Sequence, residues 1–162
     1  MAYAKGMPAR VNPLLVHAAE RRERLRGGWR FRLDPAERGV AERWFADPGA
    51  LGEAIDVPGS WQGQGFGGDG TDTVWDFNLS ARTLRATYTG TGWYGRVVTV
   101  PAAWEGQRIW IHFGGVHPSA EVWLDGVRLG EHGLPFVPFG FEITPLVRPG
   151  AAHYLAVRVH EA

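Results

Sequence analysis

From residue 28 onward the chain is dominated by short runs of alternating apolar and polar residues, each stopped by Gly, Pro or Asp. Trp29-Arg30-Phe31-Arg32-Leu33 alternates in this way before Asp34-Pro35 breaks it, which is the signature of a half-buried strand. Similar runs predict strands at 96–100, 108–113, 120–124, 127–130 and 154–159. Asp125-Gly126 separates two of them and predicts a hairpin over 121–129, because a tight type I′ turn needs positive φ at both central residues. Short strands spaced about ten residues apart, punctuated by Gly and Pro, predict an all-β antiparallel sandwich or jelly roll. Two regions lack this texture. Residues 13–26 place Leu14, Leu15, Ala18 and Ala19 at helical spacing ahead of the charged run Glu20-Arg21-Arg22-Glu23-Arg24, which predicts a short helix in an N-terminal arm. Residues 39–87 are rich in Gly, Asp and Trp with little periodicity, and read as long loops carrying a few short strands; loops of that length are functional or packed on themselves.

Alternation also assigns faces. Ile109, Ile111 and Phe113 share an apolar face with Ala120, Val122, Leu124, Leu155, Val157 and Val159. The opposite face carries Trp110 with His112, Glu121 with Trp123, and Tyr154 with Arg158. A one-sided sheet shows plain polar residues on its second face, and this one is aromatic instead. Two readings follow: the rings pack under loops of the same domain, or Trp110, His112, Trp123 and Tyr154 form an interface with another domain or subunit.

Composition narrows the function classes. Eight Trp and 23 Gly favour short strands and tight turns over long helices. Seventeen basic and 17 acidic residues give no net charge, so no basic excess exists to meet a nucleic acid or an anionic membrane. There is no Cys, which excludes disulfides, thiolate chemistry and Cys-based metal sites. The N-terminal apolar run Leu14-Leu15-Val16 is too short for a signal or membrane-spanning segment, and the expected setting is cytoplasmic.

Few motifs survive inspection. Gly63-Gln64-Gly65-Phe66-Gly67-Gly68 fits the dinucleotide-binding spacing, but Asp69-Gly70-Thr71-Asp72 follows where a helix N-terminus should receive phosphate. His112, His117 and His132 are scattered, and Asp69, Asp72 and Asp76 lack the pattern of a Ca²⁺ loop; no metal or other cofactor is expected. Glycoside hydrolysis requires two carboxylates flanking one bond, and Glu105, Glu121, Glu131 and Glu142 sit as surface charges on strands and turns. None is a candidate catalytic residue.

Read in order, Gly28-Trp29-Arg30-Phe31-Arg32-Leu33-Asp34-Pro35, Val57-Pro58-Gly59-Ser60-Trp61-Gln62, Thr89-Gly90-Thr91-Gly92-Trp93-Tyr94-Gly95-Arg96, Phe113-Gly114-Gly115-Val116-His117, Ala120-Glu121-Val122-Trp123-Leu124-Asp125-Gly126 and Gly130-Glu131-His132 resemble the N-terminal sugar-binding domain of glycoside hydrolase family 2. That family includes β-galactosidases and β-glucuronidases. The resemblance implies a galactose-binding-like jelly roll over 28–162, incomplete at its C-terminus, behind an arm of 1–27. It also implies that the catalytic acid and nucleophile lie on a downstream TIM barrel, reached through an immunoglobulin-like domain. Thr89 stands where some β-galactosidases of the family place an Asn that contacts the sugar. Thr89, Gly90, Trp61, Gln62, Trp93 and His117 are the resulting sugar-binding candidates, although Trp29, Trp93, Tyr94 and Trp123 read equally as core residues that define the fold. Three functions stay open: a non-catalytic module of a glycosidase that cleaves terminal β-linked sugars and is a homo-oligomer in some arrangement, a freestanding carbohydrate-binding module, or a docking domain without sugar affinity. The expected partners are therefore carbohydrate and the parent enzyme's later domains.

Overall fold

The computed structural model describes residues 21–68 and 88–161. Among these residues eight strands form two antiparallel sheets: β1 (Trp29–Leu33), β2 (Glu53–Ile55), β3 (Gly90–Thr99), β4 (Trp110–Phe113), β5 (Ser119–Leu124), β6 (Val127–His132), β7 (Phe139–Glu142) and β8 (Ala152–Glu161). The larger sheet has the order β2-β1-β3-β8-β5-β6, and β4 pairs with β7 in the smaller one. This is the expected β-sandwich. Asp125 (φ 49°) and Gly126 (φ 79°) turn the β5–β6 hairpin with the anticipated left-handed pair. Asp125 also fastens its neighbours: one carboxylate oxygen accepts from the Tyr154 amide at 2.7 Å and the other lies 2.6 Å from Nδ1 of buried His153.

The face assignment holds. Ile109, Ile111, Ala120, Val122, Leu124, Leu155, Val157 and Val159 are all buried in the core between the sheets, with Phe31, Phe139 and Phe141. Other expectations change. Residues 21–26 are irregular rather than helical; the remainder of the predicted helix, and residues 69–87 of the loop region with the Asp69, Asp72 and Asp76 cluster, lie outside the described residues. Among the described residues no helix is long and apolar enough to cross a membrane.

A second core lies on the outer face of the six-stranded sheet. There Trp93 and Trp123 pack at 5.2 Å between ring centroids, Trp44 meets Trp93 edge-on at 6.2 Å, and Phe45 stacks on Trp123 at 5.4 Å. Trp44 and Phe45 belong to the connection between β1 and β2, which folds back over the sheet, and the Arg32 guanidinium sits 4.1 Å above the Trp44 ring. Asp34, 2% exposed, secures this connection. Its Oδ1 accepts from the Arg38 amide at 2.8 Å, and its Oδ2 accepts from the Gly39 amide at 2.8 Å and from Trp93 Nε1 at 3.0 Å. Gly39 is required by close approach, since a Cβ there would lie 2.3 Å from Trp93 Nε1. Trp123 and Tyr154, 5% and 7% exposed, are thus covered by their own domain. This corrects their assignment to an interface: the connection shields them from any partner.

Beyond the aromatic patch, the same face carries an ion-pair ladder. Arg158, between Glu121 and Glu37, donates to Glu121 at 2.9 Å and pairs with Glu37. Arg128 donates to the other Glu121 oxygen at 2.7 Å and pairs with Glu131. Burial pushes the Glu121 carboxyl up, but hydrogen bonds from Arg128 and Arg158 outweigh it and hold the group below its ordinary value of 4.5.

Two outcomes follow. Asp34→Ala strands the Gly39 amide and the Trp93 indole N–H, and lowers unfolding free energy in urea by about 2–5 kcal/mol; Gly39→Ala lowers it by about 1–3 kcal/mol through overpacking. Native-like urea midpoints for both would contradict the role given to this contact. A depressed Glu121 value contributes stability that is complete above its unfolded value of 4.5 and is lost as pH falls through the folded one. Glu121→Gln should therefore lower the thermal midpoint near neutral pH, with the gap to wild type narrowing as pH falls below 4.5.

Candidate functional site

The loop ends of the larger sheet collect the side chains of interest. Register places Gly90 opposite Glu161 and Thr91 opposite His160, His160 opposite Ser119, and Ala120 opposite His132. One end of the sheet is therefore lined in order by the start of β3, the end of β8, the start of β5 and the end of β6.

At the β3 corner the backbone around Thr89 is braced on both sides. Gln62 donates its side-chain amide to the Tyr88 carbonyl at 3.1 Å. The Thr91 carbonyl accepts from the Asp34 amide at 2.8 Å and from the Tyr88 hydroxyl at 3.1 Å. Burial pushes the Tyr88 phenol above its ordinary value, so it stays a donor at neutral pH. Thr91 is fully buried; its hydroxyl bonds to Glu37 and lies 2.8 Å from His160 Nδ1. Between these anchors Thr89 is exposed and Gly90, at φ 136°, takes a conformation that L side chains rarely adopt. The result is a short polar tip held by hydrogen bonds on either side.

The structure divides the remaining candidates. Trp61 is 4% exposed, with its ring 5.8 Å from Phe31 and 6.0 Å from Tyr88. Trp93 is fully buried against Trp44 and Trp123. Neither offers a face to a ligand, which corrects their place among sugar contacts: Trp61 supports the tip from beneath, and Trp93 anchors the β1–β2 connection. Gln62 is a brace. His117 is exposed at the same end of the sheet, stacked on Phe136 at 4.7 Å. Trp110, 43% exposed, and His112, also exposed, lie on the outer face of β4, with Arg108 5.7 Å from the Trp110 ring centroid.

Sequence reasoning passed over Glu37, His160 and Phe136. Glu37 sits in a loop at φ 53° and meets Thr91 and Arg158 only through the folded connection; nothing local signals that meeting. Chemically, the described carboxylates of this face are occupied. Glu37, Glu121 and Glu131 each pair with an arginine, as does Glu142 with Arg108 at 2.7 Å. Glu121 and Glu142, held below the ordinary carboxylate value by hydrogen bonds from their arginine partners, are poor proton donors. Among the described residues no group of three His, Asp or Glu is placed to hold a metal ion.

Comparison with known proteins agrees with this geometry. Residues 22–161 match the model of the glycosyl hydrolases family 2 sugar binding domain. A β-glucuronidase of Paenibacillus borealis is 30% identical over 136 residues, covering 84% of this chain and 20% of that protein. A β-galactosidase of Bacteroides ovatus is 31% identical over 151 residues, covering 91% of this chain and 16% of that protein. A Ruminococcus gnavus β-glucuronidase structure superposes with a TM-score of 0.66 at 24% identity, over 85% of this chain and 20% of that one. The chain thus spans about a fifth of the length of the relatives it matches. With the sandwich, the family match across nearly its whole length and relatives that are glycosidases, the chain belongs to glycoside hydrolase family 2, as its sugar-binding domain.

Proposed function

We propose that this chain is the non-catalytic front domain of a β-glycosidase that hydrolyses terminal β-glycosidic bonds, with both catalytic carboxylates supplied by later parts of the enzyme. The observation that carries the proposal is the braced Thr89–Gly90 tip: an exposed hydroxyl and a glycine backbone, fixed by Gln62, Tyr88 and Asp34 at one end of the sheet. A pre-positioned hydroxyl loses little freedom when it meets a sugar held elsewhere. The arginine-paired carboxylates support a non-catalytic role. The named relatives support the substrate class, and β-glucuronides are the first substrates to try, since two of the three named relatives are β-glucuronidases. Trp110, exposed beside Arg108, favours a second role for the outer face of β4 as a docking surface for a neighbouring domain or subunit.

Two measurements test the proposal. The chain alone should release no p-nitrophenol from aryl β-glucuronides or β-galactosides, and turnover that survives repurification would overturn the non-catalytic assignment. In the enzyme that contains this domain, Thr89→Ala should raise KM about 3- to 10-fold, with kcat less affected, as the loss of one hydrogen bond does. An unchanged KM would remove the tip from the substrate site.

A further inference from the structure

Two loops away from the tip, the chain builds an aromatic platform. Phe136 is 75% exposed and sits at φ 62°, a left-handed conformation uncommon for a non-glycine residue. Its amide donates to the Val116 carbonyl at 3.3 Å, and its ring packs on His117 with the planes inclined by 31°. The loops on either side are therefore tied together while the ring stays in water. Such strained positions cluster at binding sites.

Beside the platform lies an open groove of about 400 Å³, lined by Ser119, Glu121, Glu131, His132, Arg158 and His160. Ser119 is two residues from His117, and Gly133, also at the groove, is three from Phe136. The two rings are thus carried on the loops that adjoin the groove. Each of the six side chains carries a hydrogen-bonding group, and acids and bases are mixed without a clear excess of either sign. Two of these polar atoms are unspent: His132, more than nine-tenths buried and stacked on Phe139 at 4.2 Å, and Arg158 leave Nε2 and Nε respectively without a partner among the described residues. Buried polar atoms without partners are uncommon, and here both belong to residues that line the groove.

We infer that this platform and groove form a pyranose-binding subsite, separate from the Thr89 tip, in which Phe136 stacks on the apolar face of a sugar ring and Ser119, Glu131 and His160 bond its hydroxyls. The inference rests on the sugar-binding reading above and gives it a location. A neutral polyhydroxylated ring suits the groove better than an anion, which Glu121 and Glu131 would repel, or a cation, which Arg158 would repel. Glu131 is well placed to serve, since its side chain is 71% exposed although paired with Arg128.

Saturation-transfer NMR and calorimetry on the full chain, with the neutral methyl β-D-glucoside and methyl β-D-galactoside as probes, test the subsite. Wild type should bind at least one of them, and Phe136→Ala should weaken that binding about tenfold or more while leaving the thermal midpoint unchanged. Thr89→Ala should leave it intact. Equal binding by Phe136→Ala and wild type, or no binding of either sugar by wild type, overturns the subsite. Loss with Thr89→Ala alone overturns it while leaving the tip as the sugar contact, so the two readings fail separately. A changed association state of Phe136→Ala with unchanged sugar binding would make the platform a protein contact instead, and would also overturn it.

Discussion

The buried carboxylate of Asp34 is the contact on which the outer half of the domain depends. It accepts three N–H groups, two from the backbone of the β1–β2 connection and one from the Trp93 indole. A charge so deeply placed is tolerated only when its lone pairs are used. By joining the connection to Trp93 it brings Trp44 and Phe45 onto Trp93 and Trp123, and a sheet face that would otherwise be open and apolar becomes a second core. The same fold-back carries Glu37 to Thr91 and Arg158. The Glu37 end of the polar ladder, and its bond to the Thr91 hydroxyl, thus depend on one hydrogen-bonded carboxylate.

That arrangement separates labour on the domain. The aromatic half of the outer face is closed and contributes stability. The charged half is paired internally. What stays available is the loop end of the sheet, where the Thr89 tip, His117 and Phe136 are presented by strands that share one register. Recognition residues carried on short loops between rigid strands are the usual way a sandwich binds a ligand. A domain that covers a fifth of its glycosidase relatives fits such a supporting part.

Strand alternation made much of this legible. β1 and the β5–β6 hairpin read directly, because their side chains alternate cleanly and Asp125-Gly126 encodes its own turn. The first half of β3 did not, because Gly90, Gly92 and Gly95 interrupt the pattern. The structure shows the reason: Trp61 lies over Gly92 and the Tyr154 hydroxyl over Gly95, where any Cβ would collide. β7 was missed for a related reason, since Phe139-Gly140-Phe141-Glu142 is short and Gly140 faces the backbone of Ile111. At the site, Thr89, Gln62 and His117 were within reach of sequence reasoning, whereas Trp61 and Trp93 were chosen for their chemistry and turned out to be packing. An aromatic residue near polar ones looks the same in sequence whether it stacks on a sugar or on Asp34 and its neighbours. Glu37 carries no local signal, because its partners lie 54 and 121 residues away.

On the proposed reading, sugars meet this domain at the loop end of the larger sheet and not on its closed face. Amide chemical-shift mapping of the whole chain during titration with a methyl β-D-pyranoside tests it most directly. Saturable shifts confined to residues 88–91, 117–119, 131–136 and 158–160 are the expected result. Shifts centred instead on Trp44 and Trp123, or on Trp110 and His112, or no saturable shift at any residue, would contradict it.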